Sequence, residues 1–480
     1  MWEVPGPEGI VVAATKRIAE GLAPKAHFGG GLPFSVMSRI VSSIPDRGVR
    51  LSSVTADGRM LLEEQWRRLG IDREVHWVVG SESVAVALSL ATAEAWMPDF
   101  DVFELVRVRG LNPKENDDDL LREIWLSLLN SPVPREFPSA EELLASVRMR
   151  FSIVRNSERT FLKFDANAID RPPDCWSYSE ETGFVLKPGC SLVESLKKAC
   201  QPSISGKVYS FSCSRATEYV LLLAIAEEAE RSNRKLFCDL ESQWQRKAIQ
   251  GDPFRDAFTE EYGSFQEPLP MHYYVPGDRV WFRNPDEQSG EAMGFEGSWM
   301  FYAGGGLFAN FWKLEQPYEL KRVCVRIFHW RNCAWLAADG EWYMDEPKVE
   351  RMEAQTLADP TETLRVMAIM HRMRDPGGIY AGGGCMDATR EAPRFVLPPH
   401  CAIRFPTNGR ESESPPEAVP LGGWRTAAAK QSDFLNRPKP ERTNAFALPP
   451  LGGREARIAE LQTAADCSTV FTPPTHENDP

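Results

Sequence analysis

At 480 residues the chain exceeds what one ordinary hydrophobic core organises, so two folded units with tails are expected. A net charge of -13 argues against a surface that tracks phosphates, and nucleic acid is excluded as an expected partner. Ten cysteines at irregular spacings, with no C-x-x-C pair, make neither a zinc module nor a disulfide scaffold, so neither a metal nor a cofactor is expected.

The opening stretch MWEVPGPEGIVVAATKRIAEGL has Lys16, Arg17 and Glu20 inside its apolar run and reads as a surface helix, not a secretion signal. No segment approaches the roughly 18 uninterrupted apolar residues of a membrane span. The expectation is therefore a soluble protein of a reducing compartment, placed in the cytoplasm.

Residues 1–135 mix helix and strand signals. A strand is expected at Val75–Val79, ending at Gly80, followed by a buried helix over residues 82–96, which are small and apolar on most sides. Glu115, Asp117, Asp118 and Asp119 precede an apolar helix over 120–129, where acids complement the helix dipole. Calcium would require alternating ligands around a glycine turn, which this cluster lacks. Pro132, Pro134 and Pro138 mark a boundary. Beyond it Ser139 and Glu142 form an S-x-x-E capping box, and Leu143, Leu144, Val147, Phe151 and Val154 share one face of a helix of ~16 residues.

Two short strands over 175–187 and a helix over 192–199 lead to KVYSFSCSRATEYVLLLAIAEEAER, residues 207–231. Here Cys213 stands where an apolar run turns into a long helix. Free backbone N–H groups at that junction favour a thiolate, so a nucleophile is one reading; a buried core thiol is the other. After a polar helical region to Arg255, Gly277-Asp278 makes a turn. RVWF, WMFY, LFANFW, KRVCVRIFHW and CAWLA then read as four or five antiparallel strands. Asp359-Pro360 caps a last helix over 361–373. YAGGG occurs twice, as a hairpin turn at 302–306 and as a loop at 380–384. From about residue 405 the chain becomes rich in Pro, Ser, Glu, Arg and Gly, and reads as a disordered tail with a docking role. The fold class is α+β, a cysteine-bearing helix on an antiparallel sheet, with units at 1–135, 136–400 and 405–480.

Four stretches carry a resemblance. They are EELLASVRMRFSIV, CWSYSEETGFVLKPGCSLVESL, YSFSCSRATEYVLLLA and MHYYVPGDRVWFRNPD, the last with Gly277, Asp278, Val280 to Phe282, Asn284 and Pro285. In that order, over about residues 139–315, they resemble the bacterial protein-glutamine gamma-glutamyltransferase family of the bacillus spore-coat type. The resemblance implies a papain-like fold and acyl transfer. A cysteine thiolate attacks a glutamine carboxamide, ammonia leaves, and a lysine amine or water takes the thioester. It makes Cys213 the nucleophile and implies protein substrates carrying Gln and Lys.

The partner positions depart from the family. Ser212 stands where the family has an acid before the nucleophile. Without a gap Gly297 falls on the family's glutamate, and a one-residue shift brings Glu296 there. Asn310 falls on its histidine, and an amide does not titrate near neutrality. His329 and His272 are the histidines that could substitute, while His371 reads as solvated. The candidate site is Cys213 as nucleophile, Glu296 as base or electrostatic partner, and Asn310 or His329 orienting it, with Cys213 and Ser214 N–H groups as oxyanion donors. The alternative is a catalytically degenerate member that keeps the fold as a binding or scaffold module.

Overall fold

In a computed structural model of the chain the described residues are 46–80, 83–165, 169–375 and 383–406, within a unit that ends at Pro406. The expected N-terminal surface helix, Glu82, Tyr380 and the tail beyond Pro406 lie outside them. The organising layer is a six-stranded antiparallel sheet. Its order is Tyr318–Glu319, Leu307–Phe308, Gly297–Gly304, Arg279–Arg283, Arg390–Pro393 and Thr259–Tyr262. The two central strands pair Trp281 with Trp299 and Arg283 with Gly297. Helix Cys213–Ser232 packs on strand Gly297–Gly304, on helix Ala140–Arg159 and on helix Leu192–Cys200. The α+β class with its cysteine-bearing helix is as expected.

The Gly277-Asp278 turn fixes how the sheet meets the helices. Gly277 has φ +88°, and a Cβ there would lie 2.9 Å from Arg150 Cα, so only glycine lets the turn approach helix Ala140–Arg159 this closely. Beside it Arg150 Nη1 donates to Asp278 Oδ1 at 2.8 Å, in a pair with both side chains almost fully buried. Asp278 Oδ2 also accepts from the Val275 N–H at 2.8 Å.

A four-stranded sheet comes first in the chain, in the order Val75–Val79, Val84–Leu88, Val49–Leu51 and Arg135–Phe137. One apolar cluster runs from Val49 through Leu143 to Met386, on both sides of Pro132, Pro134 and Pro138. The helix expected over 82–96 is instead the strand Val84–Leu88 and the short helix Leu90–Trp96, which Ser89 caps by accepting from the Thr92 N–H at 3.0 Å. Alternating valines sandwiched between two partner strands outweigh the helix propensity of the alanines.

A second correction concerns KRVCVRIFHW, which lies within helix Leu320–Cys333 and not in a strand. Val323, Cys324, Ile327 and Phe328 recur at helical spacing and are buried, whereas the Val323/Val325 alternation mimics a strand. LFANFW contributes only Leu307–Phe308 to the sheet, and Ala334–Leu336 pairs with Trp342–Met344 in a separate ribbon.

The capping box at Ser139 is half realised. Ser139 Oγ accepts from the Glu142 N–H at 3.3 Å, but the Glu142 carboxylate accepts from the N–H groups of Val396 and Leu397, each at 2.9 Å. Glu142 thus anchors the last described segment to a helix that runs 20 residues. Burial pushes its carboxyl up to about 7. The same holds for Glu123, also raised to about 7 by burial, which accepts from Tyr302 Oη at 2.6 Å and from the Gly305 N–H at 2.8 Å. Both folded-state values lie above the ordinary carboxylate range. The stability they contribute is therefore full at acid pH, below the unfolded value, and is lost as the pH rises through about 7. Glu123→Gln is expected to flatten the fall in urea midpoint between about pH 5 and 8, on the order of 3 kcal/mol for that group. An unchanged pH profile would refute this assignment.

Candidate active site

Cys213 is the first residue of its helix, with Ser212 as N-cap: Ser212 Oγ accepts from the Arg215 N–H at 3.4 Å. The short strand Ser210–Phe211 delivers it, paired in parallel with Lys163–Phe164. Cys213 is 7% exposed and lines a cavity of about 40 Å³. Phe164, Phe295, Trp312, Tyr318 and Trp330 make that cavity aromatic, and Arg326 and Glu346 add charge. Burial pushes the thiol up to about 11. The Trp299 and Ser214 backbone N–H groups and the Arg279 guanidinium pull it down, while the Glu296 carboxylate pushes it further up. Desolvation outweighs the helix terminus, so the resting group is a thiol.

Glu296 follows Phe295 and precedes Gly297, both of which line the cavity. Its carboxyl is raised by burial, opposed by its own and the Gly294 N–H groups, the latter at 3.4 Å from Oε1. Gly297, the other candidate position for the acid, has no room for a side chain. A Cβ there would lie 2.3 Å from Trp281 Cζ2 and 2.5 Å from Phe282 O.

Asn310 and His329 are held elsewhere. Asn310 follows the strand Leu307–Phe308; its Nδ2 donates to Gln316 O at 2.7 Å and its Oδ1 accepts from the Trp312 N–H at 3.1 Å, which closes the loop that presents Trp312. His329 lies on a helix, so the strand register expected to aim it at the thiol does not exist. Its Nε2 bonds Thr356 Oγ1 at 2.8 Å and its Nδ1 faces Asn332 Nδ2 at 3.2 Å, with burial lowering its pKa. The same helix presents Val323, Arg326, Ile327 and Trp330 to the cavity. His329→Gln is accordingly expected to lower stability by about 1–2 kcal/mol while changing Cys213 alkylation less than twofold. A tenfold change in alkylation would place the imidazole in the site.

His272 lies apart from the cavity lining, with Nδ1 on Asp101 Oδ2 at 2.7 Å and Nε2 on His371 Nε2 at 3.0 Å, so His371 is half-buried and bonded, not solvated. Among the described residues no group of three or more His, Cys, Asp or Glu side chains could hold a metal ion, and no helix is long and apolar enough to cross a membrane.

The residue absent from the sequence reading is Arg279. Buried at the start of strand Arg279–Arg283, it donates to Thr217 Oγ1 at 2.8 Å, Glu391 Oε2 at 2.6 Å and Ser214 Oγ at 3.5 Å, and stands 3.7 Å over the Trp299 ring. It therefore braces the first turn of the cysteine helix from the sheet. A charge opening the apolar run VWF was the available signal.

A sequence profile of the protein-glutamine gamma-glutamyltransferase family matches residues 106–389. Among solved structures, a transglutaminase from Geobacillus stearothermophilus without its C-terminal extension is similar at 18% identity and a TM-score of 0.31, covering 45% of this chain and 98% of that one. No curated protein matches.

Proposed function

The chain belongs to the protein-glutamine gamma-glutamyltransferase family, and we propose that it transfers the acyl group of a protein glutamine to an amine or to water through a thioester on Cys213. The observation that carries this reading is the placement of Cys213 at a helix start, lining an aromatic cavity whose wall includes Phe295 and Gly297 on either side of Glu296.

We assign Glu296, which stands between two residues of the cavity wall, as the general base. As Sγ attacks the carboxamide carbon, the thiol proton passes to Glu296. The C–N bond then breaks and that proton goes to the leaving ammonia. An amine or water next attacks the thioester carbonyl, gives its proton to Glu296, and Cys213 departs as thiol by taking that proton back. The Cys213 N–H, at the first helical position, has no carbonyl one turn earlier to bind and can take the oxyanion. A raised carboxyl is the stronger base for this cycle. The aromatic walls suit the methylene stem of glutamine or lysine, and Asn310 and His329 hold walls in place.

The test is incorporation of a labelled primary amine into a glutamine-containing protein, with ammonia release measured in parallel. The reading of a binding module without turnover rests on the 7% exposure of Cys213 and on the lack of any histidine lining the cavity among the described residues. That reading expects neither ammonia nor incorporation.

A further inference from the structure

A second cavity, of about 20 Å³, lies against the first turns of helix Cys213–Ser232, lined among others by Arg171, Arg215, Glu218 and Tyr219. Arg171 is 5% exposed, with its guanidinium 3.3 Å from the Phe211 ring centroid and 4.6 Å from that of Tyr219. Its Nη1 donates to the carbonyls of Asp170 at 2.6 Å and Ser210 at 2.9 Å, while its Nε has no hydrogen-bond partner. Among the described residues no carboxylate forms an ion pair with it. Asp170 is bound to Lys207 at 2.8 Å, and Glu218 is bound to Arg215 and to the Gly251 N–H. Two guanidinium groups and one carboxylate thus line the cavity; the neighbouring Asp170 carboxylate feels the Arg171 charge but is shared with Lys207. A buried charge without a counter-charge is costly, and aromatic faces offset only part of that.

We propose that this cavity seats a small monovalent anion, of the size of chloride or formate, as the counter-charge of Arg171. The free space matches one such ion, since a single water needs roughly 10–15 Å³ by the same measure. The guanidinium supplies the orphaned Nε–H as a charge-assisted donor. The seat adjoins the nucleophile turn through Glu218, whose Oε1 accepts from Ser214 Oγ at 3.4 Å. It requires no turnover at Cys213 and stands apart from the acyl-transfer reading.

The experiment follows the melting temperature of the full chain while sodium chloride or sodium formate replaces sodium gluconate, too large to enter, at constant ionic strength. A saturable rise of about 2 °C is expected with either small anion. Formate added at saturating chloride should give no further rise. Arg171→Met keeps an apolar stem over Phe211 and should abolish the effect. An equal rise in Arg171→Met, or no rise in the native chain, overturns the proposal. Should Arg171→Met fail to fold, crystals of the native protein in bromide decide: an anomalous peak within hydrogen-bond reach of the Arg171 guanidinium is expected, and its absence overturns the assignment.

Discussion

Cys213→Ala is expected to lower amine incorporation and ammonia release together by at least about three orders of magnitude, because Cys213 is the one thiol lining the cavity among the described residues. Ser298 lines the same cavity, but a hydroxyl is a far weaker nucleophile than a thiol. The substitution removes one sulfur from a buried helix start and leaves the Ser212 cap untouched, so the melting temperature should move by no more than a few degrees. Loss of both products with the fold retained is the expected signature. Incorporation equal to the native chain would sink the assignment of Cys213.

Glu296→Gln should move two readouts in opposite directions. The Glu296 charge pushes the Cys213 thiol upward, so removing it lowers that pKa from its value of about 11 and speeds alkylation by iodoacetamide at pH 8. Acyl transfer should nevertheless fall by roughly 10²- to 10⁴-fold, since glutamine cannot take the thiol proton. In the native chain a thiol near 11 is only about one part in a thousand thiolate at pH 8, and alkylation should climb close to tenfold per pH unit up to about 10. If Glu296→Gln slows alkylation and transfer alike, the carboxylate supports a preformed thiolate and its role as general base is wrong.

Much of the fold was legible where a local signal agreed with its packing. The Ser139 cap, the Gly277-Asp278 turn and the start of the cysteine helix each follow from chemistry within a few residues. Helix Leu320–Cys333 was not, because its β-branched and aromatic content imitates a strand and only packing against helix Glu346–Ala358 decides the period. That error carried His329 toward the site, whereas its ring is held by Thr356 on the neighbouring helix. The reach of the Glu142 carboxylate to Val396, 254 residues away, has no local trace at all. At the candidate site the place of Cys213 at a helix start could be read from sequence. That Gly297 has no room for a side chain needed the distance from a would-be Cβ to the Trp281 ring, and the bracing by Arg279 needed the fold.

A thioester on Cys213 is tested most directly by peptide mapping with mass spectrometry. The native chain is mixed with a glutamine-containing peptide in the absence of added amine, quenched in acid within seconds, digested and mapped. An adduct equal to the peptide less ammonia is expected on the fragment bearing Cys213, discharged by hydroxylamine and absent from Cys213→Ala. Ammonia release with no adduct on Cys213, or the same adduct in Cys213→Ala, would contradict it.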